Sequence, residues 1–146
     1  MYGTSVYPDA TFSLRLSYGK IAGWTYRGQT VPSFTDFGGL YTRATGLPPF
    51  DLAPRWTEGQ SKLDPKTVFN ISSDNDIIGG NSGSPLIDAK GEVIGAIFDG
   101  NIHSLGGDFY FDPMLNRAVS VSTAAITEAL TKIYGQNALV LELTGR

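Results

Sequence analysis

Apolar and polar residues alternate over the first predicted strand, which runs from Thr11 to Tyr18. Because successive side chains of a strand point to opposite faces, this alternation predicts a half-buried strand. Its apolar face consists of Phe12, Leu14, Leu16 and Tyr18. A second β-rich run covers residues 20–26, and Gly28 after it supplies the positive φ that a tight hairpin turn requires. We therefore expect strands joined by a short turn in this part of the chain.

Further short strands are predicted in the second half of the chain. Apolar and β-branched runs cover residues 68–72, 86–87, 92–98 and 118–121, and Asp88-Ala89-Lys90-Gly91 has the composition of a hairpin turn. Between residues 34 and 65, Gly and Pro interrupt every apolar stretch, which predicts a long surface loop. With 18 glycines and 8 prolines in 146 residues, the composition favours many short strands over long helices. The fold class indicated is mainly β.

One segment, from about residue 123 to residue 134, has the period of an amphipathic helix. Four apolar residues recur at helical spacing on one face: Ile126, Leu130, Ile133 and Tyr134. Ser122 or Thr123 is the expected N-cap, and Gly135 stands where a glycine ends a helix. No repeat and no shift in composition divides the chain, so residues 1–146 are interpreted as a single domain.

Charge and composition exclude several classes of function. The net charge is −3 and the Lys and Arg residues are scattered, so the chain lacks the basic surface of a nucleic-acid-binding protein. No apolar run approaches the length that spans a bilayer, so we expect no membrane insertion. With no cysteine and a single histidine, no metal-ligand spacing is visible, and no glycine-rich loop carries the lysine of a phosphate-binding motif. We expect no metal and no cofactor.

The segment from Asp76 to Pro85 carries the candidate chemistry. It places Ser82 among glycines between two predicted strands, in the order Gly79-Gly80-Asn81-Ser82-Gly83-Ser84-Pro85. Acyl transfer needs a hydroxyl nucleophile and two N–H donors about 3 Å from the developing oxyanion, and glycine allows the backbone to aim those donors. The pattern predicts Ser82 as the nucleophile and the main-chain N–H groups of Gly80 and Ser82 as the oxyanion hole.

Gly80-Asn81-Ser82-Gly83-Ser84-Pro85 resembles the nucleophile motif of chymotrypsin-like serine peptidases. A resemblance over almost the whole chain is to the bacterial dipeptidyl-peptidase 7 and dipeptidyl-peptidase 11 family of serine exopeptidases, and residues 7–16, 69–85, 97–101 and 107–113 carry it. It implies an antiparallel six-stranded β-barrel, the second barrel of a chymotrypsin-like double barrel, closed by the C-terminal helix. It also implies removal of dipeptides from peptides with a free N-terminus, in the periplasm, at the cell surface or outside bacteria.

The sequence does not identify a general base for Ser82. A serine hydroxyl is activated by a base, normally a His that an Asp orients. His103 is the one histidine and follows Ser82, whereas the resembling enzymes carry their catalytic His and Asp well upstream, so His103 is interpreted as a loop or surface residue. The resemblance implies that the N-terminal barrel and helical domain of a longer protein are partners of this chain, and a homodimer is left open. We expect the chain alone to be inactive.

Substrate recognition is assigned by the same resemblance to Asp99, Gly100 and Asn101. In that family an Asp in this segment binds the free α-amino group of the substrate, and an Arg at the next position suits an acidic P1 residue. Gly100 therefore implies a hydrophobic P1 residue, whereas the residues alone make Asp99-Gly100 a hairpin signal. Asp76 matches the spacing of the P1-binding Asp of trypsin-like enzymes, but we favour a role in bracing the loop.

Two other functions fit the same motif. A V8-like serine endopeptidase also uses Gly-Asn-Ser-Gly-Ser-Pro, and it would cleave substrates whose N-terminus is blocked. A degenerate barrel that binds peptides without cutting them belongs to a different class. Fluorophosphonate labelling of Ser82 separates a serine peptidase from such a binding protein.

Overall fold

The computed structural model describes residues 14–107 and 109–145, which form short antiparallel strands and several short helices. The strands are β1 (Trp24–Tyr26), β2 (Gln29–Val31), β3 (Phe34–Asp36), β4 (Val68–Ser73), β5 (Pro85–Ile87), β6 (Val93–Gly100) and β7 (Ala118–Ser122). The α-helices are α1 (Phe37–Arg43), α2 (Pro54–Gly59), α3 (Thr123–Lys132) and α4 (Asn137–Leu143), and 3₁₀ helices cover Gln60–Lys62 and Ile102–Gly106. No helix in these described ranges has the length and apolar character to cross a membrane.

The chain divides into two compact units, although its composition indicates no internal boundary. The first unit contains the described residues up to Phe34 together with Asn70–Val121. The second unit contains Thr35–Phe69 together with the residues from Ser122 onward. Each unit is built from two separate stretches of sequence, so no linker marks the points where the chain passes between them. The single-domain interpretation of residues 1–146 stays a prediction.

Both predicted hairpins are confirmed. In the β1–β2 hairpin, Arg27 and Gly28 have φ values of 50° and 77°, and positive φ at both central residues matches the twist of the flanking strands. β5 and β6 pair antiparallel. Between them, Asp88 closes the turn because its Oδ1 accepts hydrogen bonds from the N–H groups of Lys90 at 2.8 Å and Glu92 at 3.0 Å.

The closed six-stranded barrel is not found among the described residues. Instead, a five-stranded sheet has the order β3-β4-β7-β6-β5. The predicted first strand gives one reason, because its described part, residues 14–18, is not a strand. Its apolar side chains lie in solvent, with Leu14 92% exposed, Leu16 64% and Tyr18 87%. Residues 11–13 of that prediction lie outside the described residues. Alternation alone does not supply the neighbouring strand whose main chain must accept the hydrogen bonds.

The segment of residues 34–65, predicted as a surface loop, contains β3, α1, α2 and a 3₁₀ turn. Asp36 is the N-cap of α1, and its Oδ1 accepts a hydrogen bond from Gly39 N–H at 2.7 Å. Pro54 stands at the first turn of α2, where a missing N–H leaves no intrahelical bond unmade. The loop prediction was therefore wrong, because Gly and Pro residues interpreted as breakers begin helices here.

An aromatic cluster forms the core of the second unit. Phe37 is completely buried, and its ring centroid lies 5.8 Å from that of Trp56 and 5.3 Å from that of Phe69. Tyr41 donates its hydroxyl hydrogen to the Trp56 carbonyl at 2.6 Å, and burial raises the pKa of Tyr41 above its ordinary value. Aromatic rings bury large apolar areas, so this cluster holds α1 and α2 together.

The predicted C-terminal helix is confirmed as α3, which ends at Lys132 rather than near residue 134. Ser122 is its N-cap, with Oγ accepting a hydrogen bond from Ala125 N–H at 3.0 Å. Gly135, with a φ of 66°, follows the helix as the sequence indicates. The pattern did not indicate α4, which comes directly after it.

Glu128 ties α3 to the segment that precedes β4. One carboxylate oxygen accepts hydrogen bonds from Asp64 N–H at 2.6 Å and Lys132 Nζ at 2.7 Å, and the other accepts one from the Thr67 hydroxyl. Burial by itself raises the pKa of Glu128, but the hydrogen bonds from Lys132, Thr67 and Asp64 outweigh it and hold the pKa below its ordinary value. The ionised carboxylate therefore stabilises the second unit.

Candidate active site

Residues 78–84 form a tight loop ahead of β5, which we call the nucleophile loop after the role predicted for Ser82, and Asn81 stabilises it. The Asn81 side-chain oxygen accepts a hydrogen bond from Ile78 N–H at 3.0 Å, and Asn81 N–H donates to the Ile78 carbonyl at 3.1 Å. Ser84 N–H donates to the Asn81 carbonyl at 2.9 Å. An Asn side chain that bonds nearby main chain stabilises a turn. Sequence reasoning missed this role, although an Asn inside a glycine-rich turn is its signal.

Two main-chain hydrogen bonds fasten the nucleophile loop to β6. Gly83 N–H donates to the Ile97 carbonyl at 2.7 Å, and Ile97 N–H donates to the Ser84 carbonyl at 2.9 Å. Gly80 and Gly83 have φ values of 93° and 86°, a region that residues with a Cβ enter only at a cost in free energy. The two glycines thus provide the chain reversals on either side of Ser82.

Ser82 lies exposed in this loop. Within the described part of the chain, its hydroxyl has no hydrogen-bond partner, and the main-chain N–H groups of Gly80 and Ser82 donate to no acceptor. Main-chain N–H groups are normally paired when a strand or helix forms around them. The nucleophile and the two donors predicted from the sequence are therefore the groups that this fold leaves uncommitted.

Asp99 lies exposed near the end of β6, two residues beyond the position that pairs with the nucleophile loop. At a strand rise of about 3.3 Å per residue, its Cα is about 7 Å along β6 from that of Ile97. Its Oδ1 accepts a hydrogen bond from Gly100 N–H at 2.8 Å, and Oδ2 accepts none from the described residues. Gly83, which follows Ser82, thus bonds to β6 two residues before Asp99.

Asn101, predicted to bind substrate, is 7% exposed and bonded to the protein. Its Oδ1 accepts hydrogen bonds from the Ser104 hydroxyl at 3.1 Å and Arg117 N–H at 3.2 Å, and its Nδ2 donates to the Leu115 carbonyl at 2.7 Å. Both polar atoms of the amide are thus engaged. Direct contact between Asn101 and substrate stays a prediction, and the geometry favours a positioning role.

Arg117 is a buried hub that sequence reasoning missed. Only 6% of it is exposed, and its guanidinium donates to four main-chain carbonyls, those of Gly23 at 2.8 Å, Pro113 at 3.0 Å, Asn116 at 2.6 Å and Met114 at 3.1 Å. A buried cation is stable only when its donors are satisfied. We refer to Asn101, Ser104 and Arg117 as the Asn101–Arg117 network. No local pattern marked it, because a lone Arg before a strand usually lies on the surface.

His103 and Asp76 are the two remaining residues that the sequence singled out, as a possible base and a possible pocket residue. The half-buried His103 ring meets Tyr26 edge-on with 5.9 Å between centroids, and its buried Nε2 has no hydrogen-bond partner within the described residues. No hydrogen bond joins it to Ser82. Asp76 is half-buried, and its bracing role stays a prediction. Across the described ranges, no three His, Cys, Asp or Glu side chains form a group that could hold a metal ion.

The chain belongs to the peptidase S46 family, whose family model matches residues 1–145. It is 34% identical to dipeptidyl-peptidase 7 of Capnocytophaga gingivalis, in an alignment that covers 95% of this chain and 21% of that protein. It is 30% identical to the Asp/Glu-specific dipeptidyl-peptidase of Shewanella putrefaciens, covering 94% of this chain and 23% of that protein. The chain therefore spans about a fifth of the length of these curated relatives.

Solved structures match the same fold. DPP11 of Porphyromonas endodontalis in complex with the dipeptide Arg-Asp superposes with a TM-score of 0.81 at 25% identity, covering 94% of this chain and 21% of that chain. The same protein in complex with substrate gives a TM-score of 0.80 at 25% identity, covering 97% and 22%. The predicted resemblance to the dipeptidyl-peptidase 7 and 11 family is confirmed, as is a mainly β framework of antiparallel sheets with helices.

Proposed function

We propose that Ser82 is the acyl-transfer nucleophile of a serine dipeptidyl-peptidase and acts within a longer protein. The observation that carries this proposal is the nucleophile loop, where an exposed hydroxyl stands beside two N–H donors that lack acceptors in the described part of the chain. Membership of the peptidase S46 family supports the reaction class. The relatives' names, which include dipeptidyl-peptidase 7, support a dipeptide product.

In the proposed reaction, Ser82 Oγ attacks the carbonyl carbon of the second peptide bond of the substrate. The hydroxyl proton passes to a base, and the N–H groups of Gly80 and Ser82 stabilise the negative charge that develops on the carbonyl oxygen. The base then protonates the leaving amine, which departs as the shortened peptide. Water hydrolyses the acyl-enzyme and releases the dipeptide.

The base and the carboxylate that orients it are supplied, in this proposal, by the N-terminal barrel and helical domain of the longer protein. Three observations support this. The Ser82 hydroxyl has no hydrogen-bond partner among residues 14–107 and 109–145, and His103 packs against Tyr26. The chain also spans only about a fifth of its curated relatives. We therefore expect the chain by itself to lack peptidase activity.

Asp99 is proposed to bind the free α-amino group of the substrate. One of its carboxylate oxygens is held by Gly100 N–H, and the other accepts no hydrogen bond in the described residues, so it is able to pair with an ammonium group. Gly83, the residue after Ser82, bonds to Ile97, and Asp99 lies two residues further along the same strand. An amine bound by Asp99 would fix the N-terminus of the substrate, so that only the bond a set number of residues away reaches Ser82.

A hydrophobic P1 residue is proposed because Gly100 puts no cationic group beside Asp99. An acidic P1 side chain would have to lose its hydration without a partner there, at a large cost in free energy. Profiling the longer enzyme with dipeptidyl substrates that end in Leu, Phe, Asp or Glu tests this part. Preferred cleavage after Asp or Glu would contradict it.

The central experiment is fluorophosphonate labelling of the longer protein, with Ser82→Ala and Ser84→Ala as a matched pair from one loop. We expect labelling in the native protein and in Ser84→Ala, and none in Ser82→Ala. An intact protein that takes up no label would favour a peptide-binding module instead. Labelled protein that cleaves blocked substrates in preference to free N-termini would favour a V8-like endopeptidase.

A further inference from the structure

The space beside Gly100 is filled by a neighbouring side chain. A Cβ at this position would lie 2.7 Å from Ser104 Cβ and 3.0 Å from Ser104 Oγ. The Oγ could turn away by rotation about χ1, but Ser104 Cβ is fixed to the backbone of the 3₁₀ helix Ile102–Gly106. Gly100 does not have a left-handed φ, so its backbone by itself accepts other residues. The restriction at position 100 is therefore steric and comes from residue 104.

Ser104 is held in place by polar contacts on more than one side. Its hydroxyl lies within hydrogen-bond distance of Asn101 Oδ1 at 3.1 Å and of the Arg117 carbonyl at 3.2 Å, and its N–H donates to the Asn101 carbonyl at 2.9 Å. The Arg117 carbonyl also accepts a hydrogen bond from Asn101 N–H at 2.9 Å. Because Asn101 and Arg117 are themselves buried, the 3₁₀ helix cannot move away from Gly100 without breaking this network.

We propose that Ser104 is a specificity-determining residue that acts together with Gly100. This inference rests on the proposed function, in which Gly100 borders the site of the P1 side chain. Ser104 and the 3₁₀ helix then form the wall next to Gly100, and a residue with a Cβ at position 100 requires Gly at position 104. Recognition of an acidic P1 residue by an Arg at position 100 consequently needs two substitutions in this chain.

A stability cycle tests the steric part without using activity. We expect Gly100→Ala to lower the Tm of the longer protein by about 2–8 °C, since an overpacked site shifts Tm by this order. The same loss should persist when Ser104→Ala is already present, because alanine keeps the Cβ. It should disappear in the Ser104→Gly background, which removes that atom while losing the same hydroxyl contacts. Equal losses from Gly100→Ala in both backgrounds would overturn the steric coupling.

Substrate profiling tests the specificity part. Gly100→Arg alone should lower kcat/KM for both Glu and Leu at P1, whereas Gly100→Arg with Ser104→Gly should raise the Glu-to-Leu ratio at least tenfold over the native enzyme. The matched control, Gly100→Arg with Ser104→Ala, should behave like Gly100→Arg alone. An unchanged ratio in the Ser104→Gly double variant overturns the specificity role. Failure of the native protein to label or cleave dipeptidyl substrates refutes the proposed function instead, and it leaves the result of the stability cycle intact.

Discussion

The nucleophile loop and the Asn101–Arg117 network are joined by the same strand, β6, but differ in the exposure and hydrogen bonding of their polar groups. In the loop, Ser82 is exposed, and the N–H groups of Gly80 and Ser82 lack acceptors within the described residues. In the network, the side chains of Asn101 and Arg117 are buried and bonded to main-chain groups. The exposed groups of the loop are free to bond water or a ligand, whereas the buried groups of the network fix the local geometry.

The largest expected effect separates activity from stability at Ser82. Ser82→Ala should lower kcat of the longer enzyme by about 10⁴-fold or more, because a serine peptidase without its nucleophile keeps only residual rate enhancement. Its Tm should stay within about 1 °C of the native value, since the side chain is exposed and makes no hydrogen bond to residues 14–107 or 109–145. Turnover of a dipeptidyl substrate and thermal unfolding measure the two quantities. If Ser82→Ala lowers the Tm by several degrees, Ser82 contributes to the packing of the fold, contrary to this prediction.

Arg117→Met, unlike Ser82→Ala, should cause a large loss of stability. Its removal leaves the carbonyls of Gly23, Pro113, Met114 and Asn116 without their donor, so the free energy of unfolding should fall by about 3 kcal/mol or more. Arg117→Lys keeps the positive charge but loses the planar guanidinium, so its free energy of unfolding should lie between those of the native protein and Arg117→Met. Urea unfolding gives the comparison. Native-like stability of Arg117→Met would show that the network does not stabilise the fold.

Gly83→Ala and Gly91→Ala form a matched pair that isolates the loop. Their φ values are 86° and 83°, and a Cβ at either position would meet no atom within 4 Å, so each substitution adds only backbone strain of about 1–2 kcal/mol. The two stability losses should therefore be similar. Only Gly83→Ala should slow fluorophosphonate labelling, because Gly83 N–H pins the loop to β6. Equal labelling rates would show that the loop tolerates the distortion.

The smallest expected effect lies in the second unit, where Glu128 is committed in the same manner as the network. Glu128→Gln should lower the free energy of unfolding by about 1 kcal/mol at pH 7. Because the folded pKa of Glu128 lies below its unfolded value, this contribution is present above about pH 4 and is lost as the pH falls through the folded pKa. Denaturant unfolding from pH 7 to pH 3 should show the native and variant stabilities converging. A constant difference would contradict the role of the charge.

Features that depend on neighbours in sequence could be predicted. Gly28 marks the β1–β2 turn, Ser122 caps α3, and the glycines around Ser82 have the positive φ values that a tight loop requires. In each case a local backbone rule selects the residue type. The prediction of Ser82 as nucleophile and of its two donors rests on the same kind of local rule.

Features that depend on residues distant in sequence could not be predicted. Arg117 is buried only because Gly23 and the segment of residues 113–116 meet around it, and no local pattern encodes that meeting. Asp36 and Pro54 begin helices too short for periodicity to reveal. The alternation of residues 11–18 predicted a half-buried strand, and the described residues 14–18 contradict it, because alternation cannot supply the surface that would cover Leu14, Leu16 and Tyr18.

The bare row of Leu14, Leu16 and Tyr18 has a practical consequence for anyone who prepares this polypeptide by itself. Three exposed apolar side chains close together in sequence favour aggregation, which increases with protein concentration. Polar substitutions at these three positions should therefore increase the solubility of the polypeptide, and they lie more than 60 residues before Ser82 in the sequence.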